Sequence, residues 1–265
     1  MEWRKLHVAL DIYIFNMNLS LITATYNCES FISSSLNSVL SQEFLPFEHV
    51  IIDGASSDQT LVILRDYLNS QIKLISEPDN GLYEGLNKGI SFTNGDVLGI
   101  LHSDDFYADH KVLLHVYEAF KNPKVQAVYG DLVYVDRLHP QTVVRHWISG
   151  KFVPSNLARG WMPPHPTLFL RRSLYQKFGS FDTRYKISAD YDFILRIFSQ
   201  LTPEQVAYIP EVLVKMRTGG VSNRSFKHLM QKSWEDYQII RKHQIGGFGT
   251  LLRKNLSKVP QFFSK

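Results

Sequence analysis

An apolar stretch at 97–101 (VLGIL) stops abruptly at His102-Ser103-Asp104-Asp105. Two adjacent carboxylates at the end of a buried strand are costly unless positive charge sits against them. One solution is a divalent cation carrying a phosphorylated ligand, because magnesium takes one or two carboxylates, keeps waters and completes its shell with substrate phosphates. The other is a helix N-cap, with Asp104 or Asp105 capping a helix that begins near Ala108. A second acidic pair, Asp190 and Asp192, opens a helical segment at 191–199. There it either complements the helix dipole or aims a general base back at the first pair. Further polar clusters stand at Thr25-Tyr26-Asn27, at 53–58 (DGASSD) and at 79–81 (DNG).

The elements that must position these residues alternate at short intervals. Strands are expected at 19–25, 47–52, 72–76 and 97–101, separated by helices at 30–42, 60–68 and 83–93, the pattern of a doubly wound, mostly parallel sheet. In such sheets ligands lie beyond the carboxyl ends of the strands, where all four polar clusters fall. Caps alone would not need to be so acidic on every strand, so a ligand site is the expectation. No G-x-G-x-x-G follows the first strand and no G-x-x-x-x-G-K-[ST] exists, so a glycine-rich phosphate cradle is missing and a metal at Asp104-Asp105 would replace it. Beyond the fourth strand the pattern predicts a helix at 111–121 and strands at 125–136 with a bend or bulge at Gly130. Strands and a mobile loop near the site are expected at 137–161, then a strand LFLR, a helix at 173–178, a final strand at 206–214 and a helix at 225–242. Residues 217–222 (RTGGVS) read as a flexible turn near basic residues.

With 265 residues and 44% apolar content, a large core is available and global disorder is excluded. The single cysteine, Cys28, excludes an internal disulfide and a cysteine-based zinc site, and fits a reducing, cytoplasmic setting. The ten histidines show no H-E-x-x-H spacing, so zinc is not expected. No run of 18 apolar residues predicts a transmembrane helix. Residues 1–16 lack the features of a secretory signal; Met17 is expected to be the physiological start, or 1–16 a loosely packed extension. From residue 223 onward nine Lys or Arg face only Glu235 and Asp236, a net of +7 against +4 for the whole chain, so the body is mildly acidic and 223–265 is a basic extension. Its last part interleaves Phe248, Leu251, Leu252, Leu256, Val259, Phe262 and Phe263 with Arg241, Lys242, Arg253, Lys254, Lys258 and Lys265. That reads either as a frayed, solvated terminus or as an interfacial segment on an anionic membrane. No nucleic-acid-binding motif accompanies the charge.

The ordered set TATYN, DGASSD, DNGLYEGLNKGI, LHSDD, PPHPTLFLRRSLYQKFGSFD, ISADYDFILR and GGVS resembles the family 2 glycosyltransferases, of the GT-A fold, from about Leu19 to Ser222. Within that family it looks like bacterial enzymes assembling exopolysaccharide, O-antigen or colanic-acid-type units. The resemblance implies a 17–222 catalytic domain that inverts configuration while moving sugar from a UDP- or GDP-linked donor. The acceptor would be a hydroxyl on a saccharide carried by a lipid such as undecaprenyl diphosphate, at the inner face of the cytoplasmic membrane. It places Thr23, Ala24, Tyr26 and Asn27 against base and ribose. Asp53 would accept from the base, in a pocket shaped by Ser56 and Asp58. Asn87 and Lys88 would sit by ribose or diphosphate, with Asp104 near the ribose. Asp105 would ligate Mg²⁺ or Mn²⁺. Asp190 matches the base, with Asp192 and His165 facing the acceptor or donor sugar; Ala189 stands where the family usually has an acid. From the residues alone, His165 is equally a hydrogen-bonded loop histidine, Lys88 a solvated helix lysine and Tyr26 a packing group. A non-catalytic nucleotide-sugar-binding protein on the same fold, and a sugar nucleotidyltransferase, are the competing functions; the second would want a glycine-rich basic loop where TATYNCES stands.

Overall fold

The computed structural model describes residues 17–219 and 226–256. The first four strands are β1 (Leu19–Thr25), β2 (Glu48–Asp53), β3 (Ile72–Ser76) and β4 (Val97–Ile100). Helices α1 (Ile32–Leu40), α2 (Thr60–Asp66) and α3 (Leu82–Phe92) connect them. They line up as β3-β2-β1-β4, all parallel. Alternation explains the burial of β1 on both sides: Leu19 and Leu21 enter one core, Ile22 and Ala24 the other.

The second half is mixed rather than parallel. β8 (Phe169–Arg171) joins β4 antiparallel and passes the sheet to β6 (Ala127–Val135), which pairs parallel with β9 (Val206–Arg217) and antiparallel with β7 (Val143–Trp147). Phe169 lies where a side chain on Gly99 would have to be, so the junction between the two halves depends on a residue without a Cβ. At Gly130 the β6–β9 register shifts, which is the bulge expected there. β5 (Phe106–Tyr107), only two residues long, closes the sheet against β9. It also removes the helix-cap reading of Asp104-Asp105, because the next helix, α4 (Val112–Phe120), starts well beyond it.

Helices α5 (Arg172–Phe178), α6 (Ala189–Phe198), α7 (Phe226–Lys242) and α8 (Phe248–Leu256) complete the described chain. The basic extension is not a free appendage. Ile239 and Ile240 of α7 and Leu251 of α8 share one core with the sheet and α6. Lys254 of α8 is buried, 2.8 Å from Asp236 of α7 and over the face of Tyr191 of α6. Thr250 bonds the Ala158 carbonyl at 2.9 Å. The frayed-terminus reading is therefore corrected for α8. Residues 1–16, 220–222 and 257–265, on which the start-site, Gly-Gly turn and terminal-tail expectations fall, lie outside the described residues.

Candidate active site

The tips of β1 and β2 are woven together before any ligand is considered. The Asp53 carboxylate is fully buried and accepts from Ser56 N at 3.0 Å, from Ser56 Oγ, and from Ser76 Oγ at 2.7 Å. Asn27, in the left-handed region at φ 49°, donates its N–H to Ser56 Oγ and accepts from Ser57 N at 2.8 Å. Asp58 receives Thr60 N and Glu29 N. Burial works against its charge, but these bonds outweigh it and hold the carboxyl below its usual range. Over this lattice Tyr26 stands 63% exposed, an aromatic face open for stacking. Beneath it, the Thr25 hydroxyl, first of the polar cluster at this strand tip, is buried without a partner.

Three residues expected to touch nucleotide lie behind this surface instead. Thr23 is fully buried, donating to the Leu101 carbonyl at 2.8 Å and lying 2.9 Å from His49 Nε2. Ala24 is packed in the core with Tyr83 and Leu86. Asn87 uses its whole amide on one residue, donating to Phe181 O at 2.8 Å and accepting from Phe181 N at 2.9 Å. The physical reason is register: β1 side chains alternate between two cores, and the inner turn of α3 faces the loop carrying Phe181. Lys88 bonds Pro78 O and Glu77, both at 2.9 Å, which directs its charge onto the β3–α3 loop.

The acid pair splits into two roles. Asp104 is partly open and meets Arg137 Nη1 at 3.3 Å. Asp105 is 1% exposed; its Oδ1 accepts Arg217 N at 3.1 Å and its Oδ2 has no partner. Burial, and then the charge of Asp104, push the Asp105 carboxyl well above the usual range despite the two nearby arginines. Arg217 is itself buried between the rings of Phe31 and Phe106, with its Nε and Nη1 unpartnered and Nη2 on Ser34 Oγ at 3.0 Å. Arg137 covers the same Phe31 ring at 4.3 Å. Neither arginine was singled out by spacing, since the short pairing of β5 with β9 is what delivers Arg217.

The donor set suits a hard divalent cation: an orphaned carboxylate oxygen beside a second, partly open carboxylate. Among the described residues no three His, Cys, Asp or Glu cluster to hold a metal unaided. A cation here would therefore need oxygens from its ligand as well.

Asp190 reaches the same cleft from the other side. Its half-buried carboxylate lies 3.2 Å from the Tyr83 hydroxyl and accepts Tyr191 N at 2.8 Å. Burial raises the Tyr134 phenol, and the charges of both Asp105 and Asp190 add to that, so the two carboxylates bear on one hydroxyl. His102 feels the charges of both Asp104 and Asp190, and its ring centroid lies 5.6 Å from that of His165. Burial pulls His165 down to about 4, so the ring is neutral near pH 7 although Asp190 opposes the shift. Asp192 does not join them. It is fully buried and held by Arg196 at 2.8 Å, Lys242 at 2.8 Å and His243 at 2.9 Å. Burial alone would raise it; the three bonds prevail and depress it. Two residues further along α6 points away from the cleft toward α7, which corrects the expectation that Asp192 faces a sugar. α7 also supplies Glu235, whose carboxylate accepts the N–H groups of Lys186, Ile187 and Ser188 at 3.2, 2.9 and 2.9 Å. The helix carrying Asp190 is thus clamped at its start.

Residues 20–185 match the model of a family described as Glycosyl transferase family 2. A PGL/p-HBAD biosynthesis glycosyltransferase of Mycobacterium tuberculosis is 32% identical over 214 residues, covering 77% of this chain and 78% of its own. Chondroitin synthase of Pasteurella multocida is 26% identical over 74% of this chain but only 20% of its own length. Among solved structures, S. aureus TarS 1-349 superposes with a TM-score of 0.66 at 20% identity over 86% of this chain, which spans 64% of that one. The mannosyltransferase PcManGT from Pyrobaculum calidifontis, in complex with GDP-Man and Mn2+, gives 0.63 at 19% identity over 94% of this chain and 74% of its own. At those identities the likeness speaks to the fold, an α/β architecture of the GT-A type with helices flanking the central sheet. The sequence match carries the rest: the chain belongs to glycosyl transferase family 2, and it is a glycosyltransferase.

Proposed function

We propose that this glycosyltransferase moves a sugar from a nucleoside-diphosphate donor to a saccharide hydroxyl by single displacement, with inversion at the anomeric carbon. The observation that carries the reading is that the two acidic sites come together: His102, just before Asp104-Asp105, lies ring to ring 5.6 Å from His165, and the charges of Asp104 and Asp190 both act on it. Asp190 removes the acceptor proton as the acceptor oxygen attacks the anomeric carbon. The bond from that carbon to the diphosphate breaks, and the nucleoside diphosphate leaves. Arg137, 3.3 Å from Asp104, and Arg217, whose charge reaches Asp105, would bring positive charge to where the leaving group gains negative charge. Asp105, with Asp104, would hold Mg²⁺ or Mn²⁺, which neutralises charge on a bound diphosphate. Tyr26 offers its ring to the base, and Asp53, Ser56 and Asp58 keep the pocket in shape. A TarS complex contains UDP-GlcNAc and the PcManGT complex GDP-Man, which supports a UDP- or GDP-linked donor. The test is a screen of UDP- and GDP-sugars with the full chain and Mn²⁺, reading released nucleoside diphosphate. One donor class should be consumed above the uncatalysed rate. No turnover and no binding of any donor would overturn the reading.

The acceptor, in this proposal, is carried on a lipid in bacterial surface-glycan assembly. No helix among the described residues is long and apolar enough to cross a membrane. Helix α8 instead presents Phe248, Leu252 and Leu256, at 72%, 50% and 57% exposure, in one stripe at helical spacing. Arg253 is exposed on the same helix, while Leu251 and Lys254 fasten the opposite face. That is the layout of a helix lying in an anionic interface, where each basic residue adds roughly 1 kcal/mol. The triple change Phe248→Ser, Leu252→Ser, Leu256→Ser should lower co-sedimentation with phosphatidylglycerol vesicles about ten-fold or more at unchanged thermal stability. Equal sedimentation of variant and wild type would remove the membrane contact.

A further inference from the structure

The ring of Phe31 serves two guanidinium groups at once, with Arg137 at 4.3 Å and Arg217 at 5.1 Å from its centroid. We infer that Phe31 is a positioning residue for the diphosphate of the donor: it seats both arginines beside the acid pair, so that the cleft grips a nucleoside diphosphate with its own side chains as well as through a metal. The inference rests on the cleft taking such a donor.

Two guanidiniums beside one acid pair repel each other, and burial adds to the cost of the Arg217 charge. Hydrogen bonds do not offset this in full. Of the Arg217 guanidinium only Nη2 is bonded, to Ser34 Oγ at 3.0 Å, while Nε and Nη1 are buried without a partner. Arg137 Nη1 reaches Asp104 at 3.3 Å and the Thr218 carbonyl at 3.5 Å, both long. The stronger hold is aromatic, because the face of a ring carries negative charge density and attracts a cation without a hydrogen-bond acceptor. Phe106 faces Arg217 at 4.7 Å, but Phe31 is the ring that the two arginines share.

The chain fixes that ring at the acid loop. Phe31 directly precedes α1, with its N–H on Cys28 O at 3.1 Å and its carbonyl accepting Ser35 N at 3.2 Å. The same turn holds the other parts: Ser34 receives Arg217, and Ser35 Oγ donates to His102 O at 3.2 Å. Ring, arginines and the 102–105 loop are therefore one connected block. A diphosphate arriving there meets acidic side chains, which repel it. Positive charge already held in place offsets that repulsion without ordering long side chains on binding. It also stabilises the leaving group as its negative charge grows.

The experiment uses the full chain with chelator present and compares uridine with UDP, or guanosine with GDP, by NMR titration. In wild type the diphosphate should tighten binding. Phe31→Leu should lower diphosphate affinity about ten-fold, with nucleoside affinity within about two-fold. A fluorinated phenylalanine at position 31, equal in shape but with a face stripped of negative charge, should do the same. Phe31→Tyr should match wild type. Parallel weakening of nucleoside and diphosphate would mean that Phe31 merely supports the fold, and overturns the inference. Unchanged diphosphate affinity in Phe31→Leu, or wild-type behaviour of the fluorinated ring, overturns it too. So does a wild type that holds diphosphate no better than nucleoside without metal; donor turnover with Mn²⁺ would then still uphold the transfer reading. If wild type binds no nucleotide even with Mn²⁺, the transfer reading itself falls, and this one with it.

Discussion

Substituting Asp190 by asparagine is expected to cut glycosyl transfer by roughly 10²–10⁴-fold, the span that a positioned general base contributes. Asparagine keeps the size of the side chain and can still accept from the Tyr83 hydroxyl and Tyr191 N, so the local structure is preserved. What disappears is the capacity to take a proton. Nucleotide affinity should hold, because the β1 and β2 tips and the acid pair are untouched. Single-turnover transfer measured beside calorimetric binding of the nucleotide separates the two. Normal transfer in this variant would shift the base role to the neutral rings of His102 or His165, which lie in the same cleft.

The second large effect is at Asp105. Asp105→Asn should weaken Mn²⁺-dependent nucleotide binding by roughly 10²-fold, while binding measured with chelator present stays the same. Calorimetry with and without the metal is the readout. Identical metal dependence in wild type and variant would sink the assignment. Misfolding is not the expected cause of a loss. In the folded chain burial and Asp104 raise the Asp105 carboxyl well above its usual value of 3.8, so ionising it opposes folding. Stability from this group is complete below that value and declines as pH rises toward the folded one. At neutral pH the asparagine variant should therefore unfold at an equal or higher temperature in the metal-free state, which differential scanning measures directly.

The parallel half of the sheet was readable because its strands are apolar on both faces and stop at polar tips. The four clusters at 25–27, 53–58, 79–81 and 104–105 do stand at carboxyl ends. What the string could not give was depth. Thr23 and Asp53 look like pocket residues by type, yet both are wholly buried, whereas Tyr26 and Asn27 stand in the open. The second half was harder for a different reason. β5 is two residues long, too short for any periodicity, yet its pairing with β9 carries Arg217 to Asp105 across 112 positions. Asp190 and Asp192 are alike as letters. A 3.6-residue period separates them into a cleft carboxylate and a buried anchor, and the partners that make the anchor, Lys242 and His243, sit about fifty residues downstream. Tyr83 read as the first residue of a helix; its hydroxyl partner is 107 positions away.

The clamp on α6 changes where this chain can be divided. Glu235 grips the backbone just ahead of the proposed base, and Lys242 and His243 grip the turn just behind it. A chimaera joined at the seam suggested by charge, after residue 222, would exchange the brace of its own catalytic helix along with the tail. Any graft meant to redirect acceptor choice has to carry residues 180–200 and 226–243 together, as one inherited piece.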